Sequence, residues 1–168
     1  MSLTTDPNDP KLKEGQKNET GQHEIYLVLS EEERAKGFIR PLRSSYVHIG
    51  KKMSYLRYPG IDRMLDESEQ KEMQKKYPRP EPYIGILNIN DSEGKHLGGS
   101  YVTQKEFDAW KSGKLIGGCG AVTSMGQALS ETYARDPKFY GATFCTGCNK
   151  HLPVDEFVWD GTDEKVGS

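Results

Sequence analysis

Cys145-Thr146-Gly147-Cys148 sets two thiols in one short turn, the spacing with which a chain grips a single metal ion. Cys119 is the third and last cysteine, and His48 and His151 are the candidate fourth donors. Three sulfurs and an imidazole make the donor set of a structural zinc site. Gly147 suits the tight backbone of such a knuckle, and Gly118 and Gly120 allow a second close approach at Cys119. The competing chemistry is thiol–disulfide exchange, which C-x-x-C also performs, but a helix starting at the first cysteine and a β-α-β setting are missing. The residues alone leave the fourth ligand open. His151 lies three positions past Cys148, where a knuckle turn sends the chain away from the metal. His48 ends an expected strand whose pairing would bring it beside Cys119.

The patterns of catalysis are weak. A hydrolytic zinc keeps one position open for water, and thiolate ligands blunt its Lewis acidity. A zinc deaminase pairs its C-x-x-C with an earlier ligand followed two residues on by Glu; here that position is Ala121. Gly117-Gly118-Cys119-Gly120 lacks the lysine and the strand-to-helix setting of a phosphate loop. Tyr133, Arg135, Asp136 and Tyr140 are explained by capping and surface charge. Asp155, Glu156, Asp160, Asp163 and Glu164 read as a solvated acidic tail. Tyr46, Phe144, Phe157 and Trp159 are expected to pack around the metal knuckles, and His23 and His96 to lie on the surface. No catalytic or organic-cofactor residue is assigned, so the sequence favours a role other than catalysis.

The elements that must carry these donors are short. Met1 to about Gln22 is polar, without apolar periodicity, and reads as a disordered arm. Glu24–Leu29 is a strand; Ser30 caps a short helix with Glu33 in the capping-box position; Ser45–Ile49 alternates as a strand. Between His48 and Cys119 stands a segment with its own grammar. Asp66 and Glu69 open a charged helix over 67–76, and Tyr83–Ile89 is a strand. The turn Asn90–Gly94 makes a hairpin to Gly99–Val102, and Thr103 with Glu106 opens a helix over 104–112. Ser124 and Gln127 are read as opening a helix that Asp136-Pro137 stops. Phe139–Phe144 delivers Cys145, and Leu152–Val154 and Phe157–Trp159 are further short strands.

Only 34% of the 168 residues are hydrophobic, and the mean hydropathy is −0.78. A modest core is expected, with metal binding supplying what apolar burial does not. No apolar run is long enough for a membrane span and no leader precedes the first strand, so the expectation is a cytoplasmic protein. The 23 Lys and Arg nearly balance 25 Asp and Glu, for a net charge of −2. That balance weakens a nucleic-acid role, which draws on excess cations, and leaves Arg40, Arg43, Lys51 and Lys52 as a local basic face.

The segments Gly37–His48, Cys119-Gly120, Met125–Leu129, Glu131–Pro137 and Phe139–Cys145, with His151–Val154 and Glu156 through Ser168, resemble a family of small uncharacterised zinc-binding-like proteins of bacteriophages and bacterial mobile elements. The likeness covers about half the chain. In short family members the histidine and first cysteine form one H-x-x-C knuckle. The resemblance therefore implies His48 with Cys119, Cys145 and Cys148 as ligands of Zn2+, and residues 49–118 as an insertion between ligands. The expected fold is α+β: residues 23–168 as one zinc-stabilised domain with a zinc-ribbon or treble-clef-like core and a helix–hairpin insertion. The expected role is an accessory protein that docks on a host or phage protein. Nucleic-acid binding, and less so an enzyme or small-molecule site in the insertion, stand as alternatives.

Overall fold

A computed structural model describes residues 1–53 and 57–168. In chain order the strands and helices are β1 (Ser2–Thr4), α1 (Pro10–Glu14), β2 (Ile25–Leu27), α2 (Glu31–Ala35), β3 (Ser45–His48), β4 (Gly50–Lys52), β5 (Ile61–Met64), α3 (Glu67–Lys76) and β6 (Tyr83–Asn90). There follow β7 (His96–Thr103), α4 (Gln104–Ser112), β8 (Leu115–Gly117), β9 (Val122–Ser124), α5 (Gln127–Arg135), β10 (Ala142–Cys145), β11 (Lys150–Pro153) and β12 (Phe157–Trp159). The fold is α+β, built on several small sheets. Among the described residues no helix is long and apolar enough to cross a membrane. The chain divides into two compact units, Met1–Gly50 with Gly118–Ser168, and Lys51–Gly117.

The first unit is assembled from both ends of the chain. Its central sheet runs β12-β3-β9, antiparallel throughout, with Phe157 opposite His48 and Tyr46 opposite Thr123. Strands β10 and β11 form a hairpin beside it, pairing Cys145 with Lys150 and Phe144 with His151. An aromatic core fills the unit: Tyr46, Tyr133, Phe157, Trp159 and Val166 pack together with Cys145. α5 contributes Tyr133 to this core. Its N-cap is Gly126, with no side-chain cap, because Ser124 pairs with Ser45 as the last residue of β9 instead of capping the helix.

Residues 1–22, whose composition reads as a disordered arm, carry β1 and α1. Strand β1 pairs in parallel with β2: Ser2 N–H donates to Glu24 O at 2.6 Å, and Val28 N–H to Thr4 O at 2.9 Å. Parallel pairing is non-local and leaves no periodicity in a three-residue strand, so composition does not reveal it.

The second unit is continuous in sequence. Its antiparallel sheet has the order β5-β6-β7, and β4 pairs with β8. Leu65, Met73, Tyr83 and Ile86 pack on the α3 side of the sheet. Met53, Leu87 and Val102 pack on the other, with Phe107 and Trp110 of α4. Both helices start at complete capping boxes, Asp66 with Glu69 and Thr103 with Glu106. Each box satisfies two helix N–H groups that would otherwise lack partners.

Candidate metal centre

Four donors reach one point in the first unit from four places in the chain. His48 is the last residue of β3, Cys119 sits in the loop between β8 and β9, Cys145 ends β10, and Cys148 lies in the turn before β11. Their ligand atoms all lie within 4.8 Å of one another. Nδ1 of His48 is 3.4 Å from Sγ of Cys119 and 3.4 Å from Sγ of Cys148, and the Cys119 and Cys145 sulfurs are 3.4 Å apart. His48 and Cys145 are buried, Cys148 is partly covered, and Cys119 faces solvent. The glycines make this convergence sterically feasible. A Cβ on Gly147 would stand 2.7 Å from Sγ of Cys119, and one on Gly118 would overlap the Ile49 backbone. The knuckle is tied to β9 by Thr146 N–H, which donates to Thr123 Oγ1 at 3.1 Å.

The orientation of the ring selects the ligand atom of His48. Nδ1 is the ring nitrogen turned to the Cys119 and Cys148 sulfurs, at 3.4 Å from each, and as a ligand atom it is unprotonated, so the ring hydrogen sits on Nε2. Nε2 then donates to Oε1 of Glu156 at 3.2 Å. Glu156 is only 8% exposed, which corrects the reading of this residue as part of a solvated tail. It lies in a short 3-10 turn, Val154–Glu156, directly before β12, and the pairing of Phe157 with His48 places the carboxylate behind the ring. A carboxylate behind a ligating imidazole fixes the ring's tautomer and orientation and strengthens it as a donor. The Phe157 ring, with its centroid 4.9 Å from that of His48, packs against the imidazole. Of the other tail acids, Glu164 pairs with Arg43, which keeps its carboxyl below the usual range through hydrogen bonding and charge.

The thiols influence one another. Desolvation opposes ionisation of Cys119, but the Ala121 N–H, His48 and the two neighbouring sulfurs outweigh it and bring the thiol down to about 7. Cys148 moves up to about 11 through desolvation and its hydrogen bonds to the Cys119 and Cys145 sulfurs. Two thiolates in so small a volume repel, and three need a cation among them. The cluster has the donor chemistry of a metal site.

His151 lies elsewhere. Its Nε2 is 2.8 Å from the Tyr26 hydroxyl, its ring packs on His23 at 4.0 Å between centroids, and its Nδ1 is buried without a partner among the described residues. Burial, and next the neighbouring His23, push its pKa down to about 4. His151 and His23 thus fasten the β2 segment to the β10–β11 hairpin, a role that neither the isolated histidines nor their spacing signalled. His96 is exposed, as expected. Tyr46, Phe144, Phe157 and Trp159 are buried, and Tyr46 O–H donates to Phe144 O at 2.6 Å beside the knuckle.

No family model, curated protein or solved structure matches the chain.

Proposed function

We propose that His48, Cys119, Cys145 and Cys148 bind one Zn2+ in a closed structural site, within a zinc-ribbon or treble-clef-like core. The chain is then a small cytoplasmic binding module, of the phage and mobile-element kind it resembles, that docks on a host or phage protein. The observation that carries this reading is the set of four donor atoms mutually within 4.8 Å. A tetrahedral zinc with bonds of about 2.3 Å to sulfur and about 2.0 Å to nitrogen has edges of roughly 3.5–3.8 Å, close to the 3.4 Å separations here. Four protein ligands saturate such an ion and leave no position for a substrate or an attacking water, which favours a structural site over a catalytic one. A saturated site stabilises a surface, and surfaces act by binding.

Metal analysis of the purified protein tests the first half: one zinc per chain, lost in Cys145→Ser. An affinity pull-down with the zinc-loaded chain tests the second. A protein partner retained at moderate salt is the expected result. A mobility shift with nucleic acid that collapses steeply as salt rises overturns it in favour of the phosphate-binding alternative.

A further inference from the structure

The three-stranded sheet of the second unit has two edges, and they are built differently. The β5 edge is four residues long, is bulged between Ile61 and Arg63, and carries Asp62 and Arg63, the latter bonded to Glu69 at 2.8 Å. Short length, a bulge and charge are the devices by which proteins close a sheet edge to further pairing. The β7 edge is eight residues long, and His96–Thr103 contains no Asp, Glu, Lys or Arg. Among the described residues no strand pairs with its outer side.

A cavity of about 280 Å³ opens there, and Ser100, Tyr101 and Val102 all line it. Consecutive residues of a strand point to opposite faces, so a space that touches three in a row runs along the edge rather than over one face. The two sides of this space differ. On the α3 side stand Tyr77, Tyr83 and Tyr101, with Tyr83 and Tyr101 edge to face at 6.0 Å. On the α4 side stand Met53, Tyr58 and Ile116. Tyr77 and Tyr101 are 53% and 40% exposed, large apolar surfaces left in water.

We propose that the β7 edge is the docking site of the module: it takes an extended segment of the partner protein as a fourth strand. The inference rests on the protein-binding reading above and gives it a location and a mode. Backbone groups of the partner would pair with β7, and its alternate side chains would enter the tyrosine side and the methionine–isoleucine side in turn. Lys51, Arg79 and Glu106 are the charged residues of the cavity's lining. Arg79 and Glu106 pair with each other at 2.8 Å, which leaves Lys51, in no ion pair among the described residues, as the net charge of the lining. The partner segment therefore carries a carboxylate among apolar and aromatic residues. This requirement disfavours a second copy of the chain pairing β7 to β7, since His96–Thr103 brings no carboxylate.

A displayed library of random 12-residue peptides, selected on the full zinc-loaded chain, tests the proposal. Enriched peptides are expected to alternate apolar residues around an Asp or Glu. The tightest of them should slow amide hydrogen exchange at Ser100–Val102 at least tenfold and leave β5 unchanged. Reversing both cations (Lys51→Glu with Arg79→Glu) should weaken that peptide at least tenfold and favour Lys-bearing ones. The exchange map needs no variant and stands even if the double substitution destabilises the unit. No enrichment, protection confined to other segments, or concentration-dependent dimerisation through β7 would each overturn the proposal. A pulled-down partner whose footprint falls on the first unit would overturn it too, yet leave the protein-binding reading intact.

Discussion

The two units solve the problem of a small core in different ways. The unit formed by Met1–Gly50 and Gly118–Ser168 uses strands of three or four residues, draws them from both ends of the chain and gathers four donors at one point. The unit formed by Lys51–Gly117 is continuous, has strands of up to eight residues and buries apolar side chains on both faces of one sheet. In the first unit segments far apart in sequence meet at a cluster of donors beside an aromatic core. In the second the order depends on local signals and ordinary packing. The difference predicts that the units respond separately to perturbation, and the two tryptophans report on them one each: Trp159 lies in the first and Trp110 in the second.

On the proposed zinc reading, the largest effect should come from taking the metal away. Structural zinc contributes about 10–16 kcal/mol, more than the whole stability of most small domains. A strong chelator at neutral pH should therefore unfold the first unit, seen as a red shift of Trp159 emission in a Trp110→Phe background. Trp110 emission in a Trp159→Phe background should hold. Coincident loss of both signals would break the comparison. Next in size is Leu87→Ala, at a fully buried position of the second unit. It should cost about 2–5 kcal/mol in denaturant unfolding followed by Trp110, with metal content unchanged.

Glu156→Ala should lower metal affinity about 10–100-fold, measured by competition with a chelating dye. Glu156→Gln, which still accepts a hydrogen bond from His48 Nε2, should recover most of the loss. Equal effects of the two substitutions would mean that the carboxylate does not act through that bond. The smallest effect concerns His151. Its pKa is held below the ordinary 6.5, at about 4, so the fold binds its neutral form. Its contribution is full above pH 6.5 and is lost as pH falls from there toward 4, because the unfolded chain takes the proton first. Faster exchange at Val28 N–H, which bonds Thr4 O, should mark that loss, and His151→Phe should flatten the profile. Release of metal by His151→Phe at neutral pH would reopen the ligand assignment.

What the sequence disclosed divides along the same line. Both capping boxes, the hairpin turn and the ends of α3 and α4 were legible because their causes lie within a few residues. The Cys145–Cys148 knuckle was legible for the same reason. The placement of His48 needed a resemblance, since 71 positions separate it from Cys119. Glu156 was hidden among charged neighbours, because its burial follows from the pairing of Phe157 with His48 and from nothing nearby in sequence. The strand at Ser2–Thr4 was hidden likewise, and Ser124 went to β9 rather than to a helix cap because β3 was there to pair with it. Non-local pairing overrode local preference in each case.

His48 precedes the inserted unit in the chain, and the three cysteines follow it. On a ribosome the histidine therefore emerges long before any sulfur that could share an ion with it, and the whole of Lys51–Gly117 is made in the interval. The inserted unit can acquire its fold while β3 still lacks both of its neighbours, β9 and β12. An unpaired β3 then gains its neighbours one at a time: β9 can cover one edge as soon as Ser124 is made, and the other stays open until Trp159 completes β12.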